Sequence, residues 1–161
     1  MTKGKTLFSC PSIFLDTWGW MVLGCRNDPY HSAITFGMLT AAKLYSECRN
    51  SKTVIYTSDY VLDELISLLF RRESYPEALN FMNGILSAAN LGIIRIERIT
   101  PERFSSAWEL RTKYLDKPTI SFTDFTSMNM MKELKITHVL SQDEHFIQVG
   151  MGFLRVPFDV E

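Results

Sequence analysis

Short apolar, β-branched runs alternate with helix-length segments along almost the whole chain, and this alternation limits the possible folds more than any other feature. The runs lie at 12–17, 53–57, 93–96, 137–141 and 153–156. The second, Thr-Val-Ile-Tyr-Thr, is dense in residues that suit a pleated, half-buried surface. Helix signals fill the gaps. A short helical piece over 19–25 leads to a turn at 26–29. Pro29 suits the first turn of a long helix over 30–49, with Ile34, Met38, Ala41, Ala42 and Tyr45 on its apolar side. Ser58 or Asp59 can cap a helix over 60–72. Tyr75-Pro76 opens another over 76–89, and Gly92 offers a left-handed cap after it. Thr100-Pro101-Glu102 places a cap, a proline at the first helical position and an acid in the first turn of a helix running to Leu115. Further helices are predicted over 123–135 and 144–149. Such alternation implies parallel strands joined by right-handed crossovers, with helices on both faces, an α/β fold.

The chain has 161 residues and no repeat or Pro/Gly/Ser linker, so a single domain over 1–161 is expected. Its formal net charge is −1, so no basic field advertises nucleic acid, and any such binding must rest on local patches or bound metal. Cys10, Cys25 and Cys48 show no C-x-x-C spacing, and His31, His138 and His145 are scattered, which argues against zinc. Free, reduced thiols suit the cytoplasm. The N-terminal apolar stretch is broken by Pro11 and Asp16 and makes a poor signal peptide. No run approaches the ~18 apolar residues of a membrane span.

Acids mark the points where strand gives way to helix. Asp16 closes the run 12–17, Asp63 and Glu64 lie in the helix after the second strand, Asp124 opens a helix after Thr123, and Asp143 follows the run 137–141. Each has an ordinary reading as a cap or a solvated helix acid, and a cap is worth only about 0.5–2 kcal/mol. Capping gives no reason for several acids to share one sheet edge, however, and the carboxyl edge of a parallel sheet is where ligands bind. Asp16 is also embedded in apolar sequence, where an unpaired carboxylate is costly. Asp63 and Glu64 border opposite margins of their helix's apolar stripe, so periodicity does not choose between them. Carboxylates converging on one edge call for a hard divalent cation, Mg²⁺ or Mn²⁺.

The motifs around these acids resemble those of the PIN domain, the metal-dependent ribonuclease fold of VapBC-type toxins. They read Phe-Leu-Asp-Thr at Asp16, Thr-Ser-Asp-Tyr-Val-Leu-Asp-Glu ending at Glu64, Ser-Phe-Thr-Asp ending at Asp124, and Ser-Gln-Asp-Glu-His-Phe at Asp143. The Asp28-Pro29-Tyr30-His31 segment is also similar to one branch of that family. The resemblance spans about 12–157, taken as the domain core, and places the second acid on Glu64, not Asp63. It implies a three-layer α/β/α sandwich around a parallel sheet. It also implies a catalytic and metal-binding set of Asp16, Glu64, Asp124 and Asp143 holding one or two Mg²⁺ or Mn²⁺ ions. It further implies RNA as substrate, an antitoxin protein as partner, and a homodimer. Trp18 departs from the pattern, standing where a small polar residue is usual.

Thr17, Thr123 and Ser141 each adjoin an acid and are candidates to orient carboxylates or water, with Thr123 foremost. Arg71 and Arg72 suit a negative helix end, and Lys113, Lys117, Lys132 and Lys135 read as solvated surface. His145 reads as a partly buried structural histidine that could also reach a substrate phosphate. Met128, Met130 and Met131 read as core filling. Phe36, Leu39 and Phe70 are candidates for an exposed dimer contact. The chief alternative is a PIN-like module that binds protein or RNA without turnover, which gives no reason to keep all four acids. A dinucleotide-binding fold lacks its G-x-G-x-x-G after the first strand. An acyl-phosphate phosphatase wants an acid where Trp18 stands.

Overall fold

The structure, a computed structural model, describes residues 10–24, 50–156 and 158–159. The expected turn at 26–29 and helix over 30–49, with Phe36 and Leu39, lie outside the described residues.

Five strands form one all-parallel sheet in the order β3-β2-β1-β4-β5. They are β1 (Ser12–Leu15), β2 (Val54–Ser58), β3 (Ile94–Glu97), β4 (His138–Leu140) and β5 (Leu154–Val156). Six described helices complete the three-layer α/β/α arrangement: α1 (Thr17–Gly24), α2 (Asp59–Arg72), α3 (Tyr75–Asn90), α4 (Pro101–Lys113), α5 (Phe122–Glu133) and α6 (His145–Gln148). β1 is central, with Phe14 beside Tyr56 of β2 and Val139 of β4, and Ile13, Phe14 and Leu15 are fully buried. The chain leaves β1 on the β2 side, adds β3, and then crosses to β4 on the other side. That reversal of strand order opens a crevice at the carboxyl ends of β1 and β4, the usual ligand site of an open α/β sheet.

The helices begin where the caps direct. Ser58, Ser74, Thr100 and Ser121 each accept a hydrogen bond from the backbone N–H three residues on, in α2, α3, α4 and α5. Ser58, not Asp59, therefore starts α2. Asp59 instead accepts from the Ile99 amide beyond β3. Gly92 adopts a left-handed φ of 76° after α3, as its C-terminal position demands. Met128, Met130 and Met131 are fully buried, which matches their reading as core.

α1 is fixed to the sheet by a buried relay. Trp20 is fully buried, so its indole N–H needs a partner. It donates to the Thr57 hydroxyl at 3.0 Å, and Thr57 donates in turn to the Leu15 carbonyl at 3.1 Å. The strand expected over 12–17 thus ends at Leu15, and Thr17 already belongs to α1.

Close approach of α1 to β4 requires Gly19. A Cβ there would collide with the Leu140 carbonyl oxygen, a backbone atom that cannot swing aside. Gly19→Ala should lower unfolding free energy by roughly 1–3 kcal/mol, the usual cost of overpacking. Urea denaturation measures this. An unchanged midpoint would show that α1 can draw back from β4 without loss.

Candidate active site

Asp16 is the first residue beyond β1. Its position between strand and helix gives it two tasks. One carboxylate oxygen, Oδ1, accepts the Gly19 amide at 2.8 Å and so caps α1. The other, Oδ2, accepts the Ser141 hydroxyl from the end of β4. Ser141 Oγ also accepts the Asp143 amide at 3.0 Å, so one buried hydroxyl links the Asp16 carboxylate to the backbone that carries Asp143. On the far side of the same loop, Arg155 donates to the Gln142 carbonyl at 2.9 Å and is itself held by Asp159.

The second acid comes from the second turn of α2. Glu64 Oε2 accepts the Thr17 hydroxyl at 2.8 Å and lines the same cavity as Asp16, whereas Asp63 is exposed and lies away from it. The structure thus makes the choice that periodicity left open. Asp124 enters from the first turn of α5. Ser121 caps that turn, but Asp124 does not close the reciprocal half of a capping box, because its carboxylate faces His145. Asp143 Oδ1 accepts the His145 amide at 2.9 Å.

These residues line one cavity of about 670 Å³ at the β1–β4 crevice. Its walls include Asp16, Glu64, Asp124, Asp143 and Glu144, together with Thr17, Trp18, Thr119, Ser121, Thr123 and His145. Among the described residues, no lysine or arginine lines it. The carboxylates therefore repel one another, with Asp143 and Glu144 also in the field of Arg155. Burial pushes the Asp16 carboxyl up to about 7, and the charges of Asp124 and Asp143 add to the rise. The Ser141 and Gly19 hydrogen bonds pull it the other way. Burial also lifts Asp124, to about 6, with the charge of Asp143 second in effect; His145 opposes the rise. Oxygen donors that resist ionising together in one cavity fit a hard divalent cation.

The neighbouring hydroxyls divide differently from expectation. Thr17 and Ser141 bond directly to Glu64 and Asp16. Thr123, the foremost candidate, lines the cavity, and its carbonyl accepts the Thr126 hydroxyl. Trp18 forms part of the wall, and its ring lies 5.9 Å from that of Phe158. Lys113, Lys132 and Lys135 are exposed, and Lys117 pairs with Asp116. Arg71 and Arg72 sit in the last turn of α2, where the helix dipole favours them. His145 is partly buried, as expected, but its spacing alone did not show that it faces two of the acids. Its Nδ1 stands 3.1 Å from Asp143 Oδ1 and 3.4 Å from Asp124 Oδ2. Its position two residues after Asp143, at the start of a helical turn, was the available signal.

The PIN-domain family model matches residues 13–151. Among solved structures, the chain is similar to Mycobacterium tuberculosis VapC20, described as a toxin that cleaves the sarcin–ricin loop. The identity is 29% and the TM-score 0.67, and the match covers 89% of this chain and 98% of that one. No curated protein matches the chain.

The raised carboxyl of Asp124 has a stability consequence. Its folded value of about 6 lies above the ordinary aspartate value of 3.8, so between those limits the native state holds more protons than the unfolded state. The charged form therefore destabilises the metal-free protein above about pH 6, and the penalty disappears below about pH 4. Asp124→Asn removes the charge and keeps the shape. It should stabilise the metal-free protein at pH 8 by on the order of 1–3 kcal/mol, with the advantage shrinking as pH falls from 6 to 4. Thermal melting across that range, in chelator, is the measurement. A mutant no more stable than the parent at pH 8 would refute the cost of burying this charge.

Proposed function

The chain belongs to the PIN-domain family, and from that premise we propose that it is a metal-dependent endoribonuclease, the toxin component of a toxin–antitoxin pair. The observation that carries the reading is the meeting of Asp16, Glu64, Asp124 and Asp143 in one cavity. Likeness to VapC20 supports RNA as the substrate. These four acids would hold one or two Mg²⁺ or Mn²⁺ ions. When bound, such an ion lowers the pKa of coordinated water and neutralises charge at the scissile phosphate.

The chain's own groups supply the rest. The Ser141 hydroxyl and Gly19 amide keep Asp16 aimed and favour its charged form. Thr17 orients Glu64, leaving its other oxygen to bind the ion or to take a proton from the attacking water. Trp18 and Thr119 line the cavity beside these acids and would face the substrate backbone. No nucleophile from the protein is needed, because water attacks and the phosphate–oxygen bond to the leaving ribose breaks.

The proposed partners follow from the family and the surface. An antitoxin protein would cover the cleft until released. A second copy would contribute a facing cleft, drawn together by the outer faces of α2 and α3. Phe70, a dimer-contact candidate from the sequence, is 39% exposed there, with Ile66 and Leu79 likewise open and the Tyr75 ring 5.3 Å away. Among the described residues, no helix is long and apolar enough to cross a membrane; the cytoplasm is the proposed location.

Replacing Asp16 or Asp143 by Asn should reduce RNA cleavage by orders of magnitude while the far-ultraviolet circular dichroism stays native. EDTA should abolish the activity, and Mg²⁺ or Mn²⁺ should restore it. Cleavage that persists in EDTA, or in Asp16→Asn, would point to the non-catalytic alternative and a contaminating nuclease. Sedimentation at micromolar concentration should give the mass of a dimer, and Phe70→Lys should shift it toward monomer. A monomer mass throughout would overturn the assembly.

A further inference from the structure

We infer that the His145 imidazole is a ligand of the cation held by Asp124 and Asp143, bonding through Nδ1 and biasing the site toward Mn²⁺ over Mg²⁺. The inference rests on the metal-nuclease reading and adds a nitrogen donor to its acids.

The spacing carries the argument. Ligand atoms about 2.1 Å from a six-coordinate ion and at right angles to one another are about 3.0 Å apart. His145 Nδ1 lies 3.1 Å from Asp143 Oδ1 and 3.4 Å from Asp124 Oδ2, close to the edges of such a polyhedron. One ligand atom from each of Asp124, Asp143 and His145 falls within 4.8 Å of the other two. The set occupies the wall of a cavity large enough for an ion with its waters and a phosphate.

The other ring nitrogen has the partner a ligating histidine requires. Nε2 stands 3.3 Å from Thr119 Oγ1. With the proton on Nε2 donated to that hydroxyl, Nδ1 presents its lone pair between the two carboxylates. This fixing of tautomer and ring plane by a hydrogen bond at the far nitrogen is the rule at histidine–metal sites. The backbone adds a second restraint, because the His145 amide donates to Asp143 Oδ1. One turn of chain thus fixes a carboxylate and an imidazole together.

A nitrogen donor changes which ion the site prefers. Mg²⁺ takes oxygen ligands and sheds water reluctantly, whereas imidazole suits transition metals. Without His145 the cavity is an oxygen site that treats Mg²⁺ and Mn²⁺ alike in ligand type. With it, Mn²⁺ gains a bond that Mg²⁺ does not use well.

The experiment reads the metal rather than the reaction. Metal-free protein is loaded with Mn²⁺ and studied by pulsed electron paramagnetic resonance. A directly bonded imidazole imprints ¹⁴N modulation on the echo. The modulation should be present in the parent and absent in His145→Gln. Calorimetry should show Mn²⁺ affinity falling by on the order of tenfold in His145→Gln, with Mg²⁺ affinity changing less than about threefold. Thr119→Val, which keeps the ring and removes its hydroxyl partner, should weaken Mn²⁺ by less while retaining the modulation. Mn²⁺ binding without ¹⁴N modulation, or equal losses for both ions in His145→Gln, would overturn the ligand assignment and leave the acid site standing. Absence of Mn²⁺ binding to the parent would overturn both.

Discussion

Asp16 stands where the central strand leaves the sheet, and burial there penalises the charge that the site would use. The Gly19 amide and the Ser141 hydroxyl each offset part of that penalty. Each comes from a different piece of the fold. The amide exists because α1 begins at once after β1, held down by Trp20, Thr57 and the Leu15 carbonyl. The hydroxyl exists because β4 pairs with β1 and ends level with it. Loss of either leaves a carboxylate short of a donor in a dry place, where hydrogen bonds are worth most and their absence costs most. The remaining site grows outward from this pair. Ser141 passes its restraint to the Asp143 amide, and Thr17, the residue after Asp16, reaches Glu64.

Much of this was legible in the sequence, and the parts that were not have physical reasons. The strands and helices could be read because caps and apolar runs are local signals, and the five strand segments and their alternation with helices appear in the structure. The strand–helix boundary at Asp16 was set two residues too late, since Asp16-Thr17 continues an apolar run while its side chains already serve a helix start. Asp63 and Glu64 could not be separated by period, because both flank the same stripe. What separates them is contact with Thr17, 47 residues away, and only the family pattern stood in for that distance. α5 carried little amphipathic signal because Phe125, Thr126, Ser127, Met128, Met130 and Met131 are all buried, surrounding most of the helix with protein.

His145 shows the limit most clearly. A histidine beside an acid is common, and nothing in its spacing tells which way the ring points. Its direction comes from the turn at α6, from the amide bond to Asp143 and from Thr119, which lies 26 residues earlier on another loop. Thr123 lines the cavity, but its carbonyl accepts the Thr126 hydroxyl. Adjacency to Asp124 made it attractive, yet neighbours along a helix do not face one another. The hydroxyls that meet the acids come from across the crevice instead.

The pairing of β1 with β4 also sets an order in time. Asp16 and Ser141 are 125 residues apart, though they share a hydrogen bond. A ribosome adds about 5–20 residues each second, so Asp16, Glu64 and Asp124 are all made before β4 exists to bring Ser141 and Asp143 beside them. Until that strand emerges and docks, Asp16 lacks one of its two donors and the cavity lacks Asp143, Glu144 and the wall they form. The topology keeps the acid cluster incomplete until the ribosome has passed the codon for residue 143.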